Sequence, residues 1–136
     1  MKQKALLFVL VATLVLSLCS CGPTLPPKLG HYTGTNPDIV FDVTASGIEN
    51  FSVTIVYNGG TGGAHITEEC NYKTDPMSLK SNGTFSYTMT FENSTQTAVS
   101  ITGRINGDKA NGNYSDSICA HGSQIRGKWS ASLNGQ

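Results

Sequence analysis

After Gly30 the chain alternates apolar and polar residues with a period of two. Ile39, Phe41, Val43 and Ala45 fall on one side of an extended chain, with Asp38, Val40, Asp42 and Thr44 on the other. Phe51, Val53, Ile55 and Tyr57 repeat this against Ser52, Thr54 and Val56, and Phe85, Tyr87, Met89 and Phe91 repeat it against Thr84, Ser86, Thr88 and Thr90. Val99, Ile101, Gly103 and Ile105 follow, and Ile125 and Trp129 close the series. Such alternation marks antiparallel strands with one face in a core and one in water. It predicts strands over 31–35, 38–45, 48–57, 64–72, 77–80, 84–91, 97–105, 109–115 and 123–133. The apolar face of 84–91 should then be buried beside Ile101, Ile105 and Trp129.

Turn chemistry separates the runs. Asn58-Gly59, Asn82-Gly83, Asn106-Gly107 and Asn111-Gly112 can supply the positive φ angles of tight turns, and Ile105–Ala110 reads as a hairpin. No segment after Gly30 carries a sustained 3.6-residue apolar stripe. The expectation is an all-β domain over 31–136, an antiparallel meander of eight or nine strands. Closure into a small β-barrel removes edges that this weakly charged chain has few residues to protect, and a β-sandwich is the alternative.

The first thirty residues are built differently. Met1-Lys2-Gln3-Lys4 is basic, Ala5 to Leu18 is apolar or small, and Leu18-Cys19-Ser20-Cys21-Gly22 follows. A basic start, a short apolar run and a small-residue exit describe a secretory signal peptide. The run is shorter than the roughly 20 residues that cross about 30 Å of hydrocarbon. Leu18 and Ser20 stand three and one positions before Cys21, which resembles the lipobox of bacterial lipoproteins. Cys19 fits that role less well, because Leu18 is too bulky for the small position before it.

The resemblance implies that 1–20 is removed and that Cys21 carries acyl chains, palmitate among them, as the first mature residue. The domain would then be exported and lipid-anchored at the bacterial cell envelope. Residues 21–30 would form a tether, in which Pro23, Pro26 and Pro27 favour an extended spacer holding the domain roughly 20–30 Å from the bilayer.

Charge and cysteine content sharpen this. The full chain has nine bases and nine acids. Loss of the leader removes Lys2 and Lys4 and leaves 116 residues with a net charge of −2. That balance offers no electrostatic footprint for nucleic acid and no polybasic patch for anionic lipid. With Cys19 removed and Cys21 lipidated, Cys70 and Cys119 remain as a pair, which an oxidising compartment favours as a disulfide. A Cys₂His₂ zinc site using His65 and His121 is the rival, but its spacing fits no familiar zinc pattern.

Other candidate chemistry is thin. His31, His65 and His121 read as exposed or singly hydrogen-bonded histidines. Glu68 and Glu69 are adjacent on a strand and face opposite sides, so they cannot flank one bond as a glycosidase pair does. One of them pointing inward would need a partner such as Arg104, Arg126 or Lys128. Gly59-Gly60-Thr61-Gly62-Gly63 lacks the Lys-Ser/Thr and helix context of a phosphate loop, and no serine stands in a G-x-S-x-G elbow. No catalytic residue, metal or cofactor is assigned.

Gly83-Thr84-Phe85, Thr102-Gly103-Arg104-Ile105, Ala110-Asn111-Gly112-Asn113-Tyr114, Cys119 and Trp129-Ser130-Ala131 resemble a loose pattern of small exported bacterial β-domains. Tyr32-Thr33-Gly34 fits the same type. The resemblance covers most of 31–133 and implies architecture alone. The expected function is a non-enzymatic, membrane-anchored domain that binds an unidentified protein or ligand. The alternative is a lipocalin-like carrier in which Phe41, Phe85, Tyr87, Met89, Phe91 and Trp129 line a cavity. An envelope hydrolase using Glu68 or Glu69 with a histidine is the third.

Overall fold

The computed structural model describes residues 24–59, 66–119 and 124–134. Eight strands follow one another: β1 (Gly30–Gly34), β2 (Asp38–Val43), β3 (Ile48–Gly59), β4 (Ile66–Lys73), β5 (Thr84–Thr90), β6 (Thr97–Asn106), β7 (Lys109–Asp116) and β8 (Ile125–Leu133). They form one antiparallel sheet in the order β4-β3-β2-β1-β8-β7-β6-β5. The sheet curls strongly into a half-barrel. Two four-stranded meanders meet where β1 pairs with β8, through Tyr32↔Leu133 and Thr33↔Ser132. β4 and β5 are the two ends of the sheet and do not pair, so the curl stops short of a closed barrel.

The inward residues are those the alternation selects. Ile39, Phe41, Val43, Phe51, Val53, Ile55, Phe85, Val99, Ile101, Ile105 and Trp129 are all buried. Two β-bulges shift the parity. Between β2 and β3 the register slips past Asn50, which sits at φ 51°, so Ile48 and Phe51 both face inward although three positions apart. A second slip between β5 and β6 buries the neighbours Ala98 and Val99 together.

Several expectations change. The predicted strand at 77–80 is a single bridge, with Ile48 and Met77 exchanging backbone hydrogen bonds of 2.8 and 2.9 Å. Phe91 is 37% exposed, because β5 ends at Thr90 and the chain turns away there. Tyr87 and Met89 are only partly buried. Ala45 lies beyond the end of β2 and is exposed.

Of the four Asn-Gly pairs expected to make turns, two do. Gly107 (φ 64°) and Asp108 form the two-residue loop of the β6–β7 hairpin, and Gly83 has φ 78°. Asn58-Gly59 and Asn111-Gly112 instead lie inside strands. The Gly112 position needs the absence of a side chain for a different reason: an added Cβ would meet the Trp129 ring at 2.6 Å and the Thr102 carbonyl closer still.

Part of the extended spacer expected at 21–30 is docked on the domain. The Leu25 N–H donates to Asn106 Oδ1 at 2.6 Å, and the Lys28 N–H to the Gly107 carbonyl at 3.0 Å. The buried Tyr32 hydroxyl lies between the carbonyls of Lys28 (3.0 Å) and Gly107 (2.8 Å). Residues 25–28 are thus laid against the β6–β7 turn. Because strands alternate in direction, this end of the half-barrel also holds 44–47, 74–83 and Asn134. The opposite end holds 35–37, 91–96 and 117–119.

Candidate functional site

Three of the six residues proposed to line a cavity, Phe41, Phe85 and Trp129, pack against one another, while Tyr87 and Met89 are partly buried beside the core and Phe91 is exposed. Phe41 on β2 stacks on Tyr32 (ring centroids 5.1 Å) and on Phe51 (5.8 Å). It also meets Phe85 at 6.0 Å and Trp129 edge-on at 6.1 Å. Phe85 in turn contacts Phe51 at 6.1 Å and Trp129 at 5.8 Å. These separations suit aromatic rings in direct contact. Trp129 Nε1 donates to the Thr102 carbonyl at 3.1 Å, which satisfies its polar atom. Gly103 makes room for the stack, since a Cβ there would come within 2.4 Å of Trp129 and 2.5 Å of Phe85. Gly127 similarly seats the Tyr114 ring. Of the glycines in the pattern read from the sequence, Gly103 and Gly112 are seats for the Trp129 ring.

At the far end, Cys70 on β4 and Cys119 after β7 form a disulfide with a Cα separation of 5.8 Å. Asp116, fully buried at the end of β7, organises the turn that delivers Cys119. Its Oδ1 accepts from the N–H groups of Ile118 (2.7 Å) and Cys119 (3.1 Å). Its Oδ2 accepts from the Tyr72 hydroxyl at 2.8 Å. Burial pushes the Tyr72 hydroxyl above its ordinary titration range, and the hydrogen bond to Asp116 and the charges of Asp116 and Glu68 push it further.

The side-chain atoms of Cys70, Asp116 and Cys119 fall within 4.8 Å of one another, a spacing a metal ion could exploit. Both sulfurs are engaged in the disulfide, however, and both carboxylate oxygens accept hydrogen bonds. His65 and His121, the partners of the zinc alternative, lie outside the described residues. So do Cys19, Cys21 and the glycines at 60, 62 and 63.

A third group sits on the outer face of β1–β3. His31 Nδ1 lies 2.6 Å from Asp42 Oδ1, and Asn50 Nδ2 donates to Asp42 Oδ2 at 2.6 Å. Asn50 first and His31 second hold the Asp42 carboxyl below its usual range. Beside them Glu49 accepts from Thr44 (2.9 Å) and Ser46 (2.7 Å), which lowers its own pKa. His31 and Asp42 are 50% and 28% exposed, so the group is a solvated surface chain.

Glu68 is half-buried and Glu69 exposed, opposite Tyr57 and Val56 of β3. Arg126, considered as a partner for them, donates through Nε and Nη2 to Gln124 Oε1, the first bond at 2.8 Å.

The concavities are clefts open to solvent, and one of about 390 Å³ beside β5 is lined by Met77, Lys80 and two of the residues proposed as ligand-lining, Phe85 and Tyr87. A cleft of about 350 Å³ at the far end is lined by Asn36, Pro37, Asp38, Thr54, Val56 and Tyr114. Another of about 330 Å³ lies over Gly103 and Gly112 and is lined by Phe85 together with Lys80, Thr84, Thr102, Arg104 and Asn113. The far end also exposes Val56 (52%), Ile118 (39%) and Phe91.

Sequence reasoning overlooked Asp116, Tyr72 and Tyr32. Asp116 could have been found: it shares the inward register of Ala110, Gly112 and Tyr114, where a carboxylate demands partners. No protein-family model, curated protein or solved structure matches this chain.

Proposed function

We propose that the protein is a lipid-anchored component of the bacterial cell envelope whose β-domain acts by binding a partner rather than by catalysis. The observation that carries this is the leader, a basic start and apolar run ending in Leu18-Cys19-Ser20-Cys21. The domain suits such a role. Its interior is occupied by stacked aromatic rings, which favours a scaffold presenting a surface over a carrier enclosing a ligand. The far end, with Phe91, Ile118, Val56 and the adjoining cleft, is the surface offered to the partner.

Labelled fatty acid tests the anchor. The wild-type chain should incorporate label, Cys21→Ala should remain unlabelled and unprocessed, and Cys19→Ala should be processed normally. Label that persists in Cys21→Ala would overturn the reading. Two or more acyl chains on one residue would hold the protein stably, where a single chain is marginal.

A further inference from the structure

We infer that the tether end of the half-barrel is a membrane-facing base: the docked segment 25–29 fixes the domain's orientation and sets the β6–β7 turn toward the bilayer, with the cleft end pointing away. This rests on the lipid-anchor reading, and its geometry comes from the docking itself.

Three bonds hold the segment. Leu25 is tied to Asn106, Lys28 is tied to Gly107, and Tyr32 reaches from the core to the carbonyls of both Lys28 and Gly107. The site is shaped for the segment as well. Gly107 brings its Cα under Leu25, where a Cβ would stand 3.2 Å from the leucine side chain, and Gly83 does the same beneath Pro27 at 3.4 Å.

Leu25 is four residue steps from Cys21, a reach of at most about 14 Å. A lipid on Cys21 therefore holds the base at the membrane surface and cannot let the domain turn over. The ten residues of β6 place the other end roughly 30 Å further along the strand direction. Leu25 (57% exposed), Leu29 (64% exposed) and Lys28 between them are exposed at the base. Two apolar side chains flanking a lysine suit the headgroup–acyl boundary, where apolar groups bury and the ammonium remains at the phosphates.

The test uses the full lipidated chain in vesicles of phosphatidylethanolamine and phosphatidylglycerol carrying a headgroup acceptor dye. A donor dye is placed on Asp108→Cys or on Thr35→Cys, each of which adds one free thiol to a chain whose mature cysteines are lipidated or disulfide-bonded. Energy transfer from position 108 should exceed that from position 35 at least about threefold, given the roughly 30 Å strand between the two ends. Combining Tyr32→Phe with Asn106→Ala removes two of the three bonds and leaves the Lys28 N–H to Gly107 bond, so it should loosen the segment and narrow the difference between the two signals.

Equal or reversed transfer in a chain that incorporates fatty acid would overturn the orientation and leave the anchor standing. A ratio that survives the double variant would overturn the docked segment as its cause. Failure to incorporate fatty acid would remove the anchor reading and this inference with it.

Discussion

The half-barrel is held together differently on its two sides. Where β1 meets β8, backbone pairs join the meanders, reinforced by Asn134 N–H to the His31 carbonyl at 2.7 Å and Thr33 Oγ1 to Asn134 Oδ1 at 2.7 Å. Where β4 faces β5 no ladder forms, and side chains hold the halves instead. Phe41 and Phe51 meet Phe85 and Trp129, the disulfide ties β4 to the turn after β7, and Tyr72 reaches Asp116. A ladder distributes its stabilisation over peptide groups that every residue carries, so substitutions on it are tolerated. The open side concentrates the same task in a few side chains. Sensitivity to mutation should follow that division.

The largest effect is expected at the centre of the ring stack. Phe41→Ala removes contacts with four rings, two of them across the open side, and should cost about 4–5 kcal/mol in denaturant unfolding. Thr33→Ala, on the paired side, should cost under about 1 kcal/mol, because the backbone pairs remain. If the two losses were equal, the stack would not be what joins the halves.

Next comes the covalent link. Cys70 and Cys119 are 49 positions apart in the sequence. Replacing both with alanine should cost about 3–4 kcal/mol, mainly by releasing the unfolded chain. The same variant should aggregate more readily, since β4 and β5 present unpaired edges that the link holds in place. Tyr72→Phe removes one hydrogen bond to a buried carboxylate and should cost about 1.5–3 kcal/mol near neutral pH. The folded-state pKa of Tyr72 is raised, so this contribution is complete below the unfolded value of about 10 and is lost as pH rises through the folded one. The phenylalanine variant should lack that alkaline decline.

The strands, the buried face of 84–91 and the disulfide were legible in the sequence, and the bulges, the β1–β8 seam and the docking of the tether were not. Period-two alternation locates every observed strand because it reports which face is buried. It is blind to an extra residue, so the bulge at Asn50 that turns both Ile48 and Phe51 inward leaves no trace in a reading of alternate positions. Met77 and Leu79 show the alternation of a strand, yet the segment forms no ladder: Met77 makes a single bridge to Ile48, and the ends of 74–83 bond to Phe51 and Ile105. The disulfide was legible through compartment and counting. The docking of the tether was not, because it depends on Tyr32 and Gly107 meeting across 75 residues of sequence. Phe91 fails for a local reason: alternation continues through it, but the strand stops one residue earlier.

The smallest effect is expected on the outer face of β1–β3, where the ladder already holds and His31, Asp42 and Asn50 decorate it. The lowered pKa of Asp42 means its contribution is present above the unfolded value of about 3.9 and is lost as pH falls through the folded one. Exposure and solvent screening limit this to less than about 1 kcal/mol. Asn50 is the stronger influence on the carboxyl, ahead of His31. Asn50→Gly keeps the positive φ while deleting the amide, so it isolates the hydrogen bond from backbone strain. Followed by carboxyl NMR titration, Asn50→Gly should raise the Asp42 pKa more than His31→Ala does, and both should leave the midpoint of denaturation at neutral pH nearly unchanged. A larger shift from His31→Ala would make the imidazole, not the bulge amide, the group that sets this carboxylate. A large loss of stability from either would mean that the paired side, too, relies on its side chains.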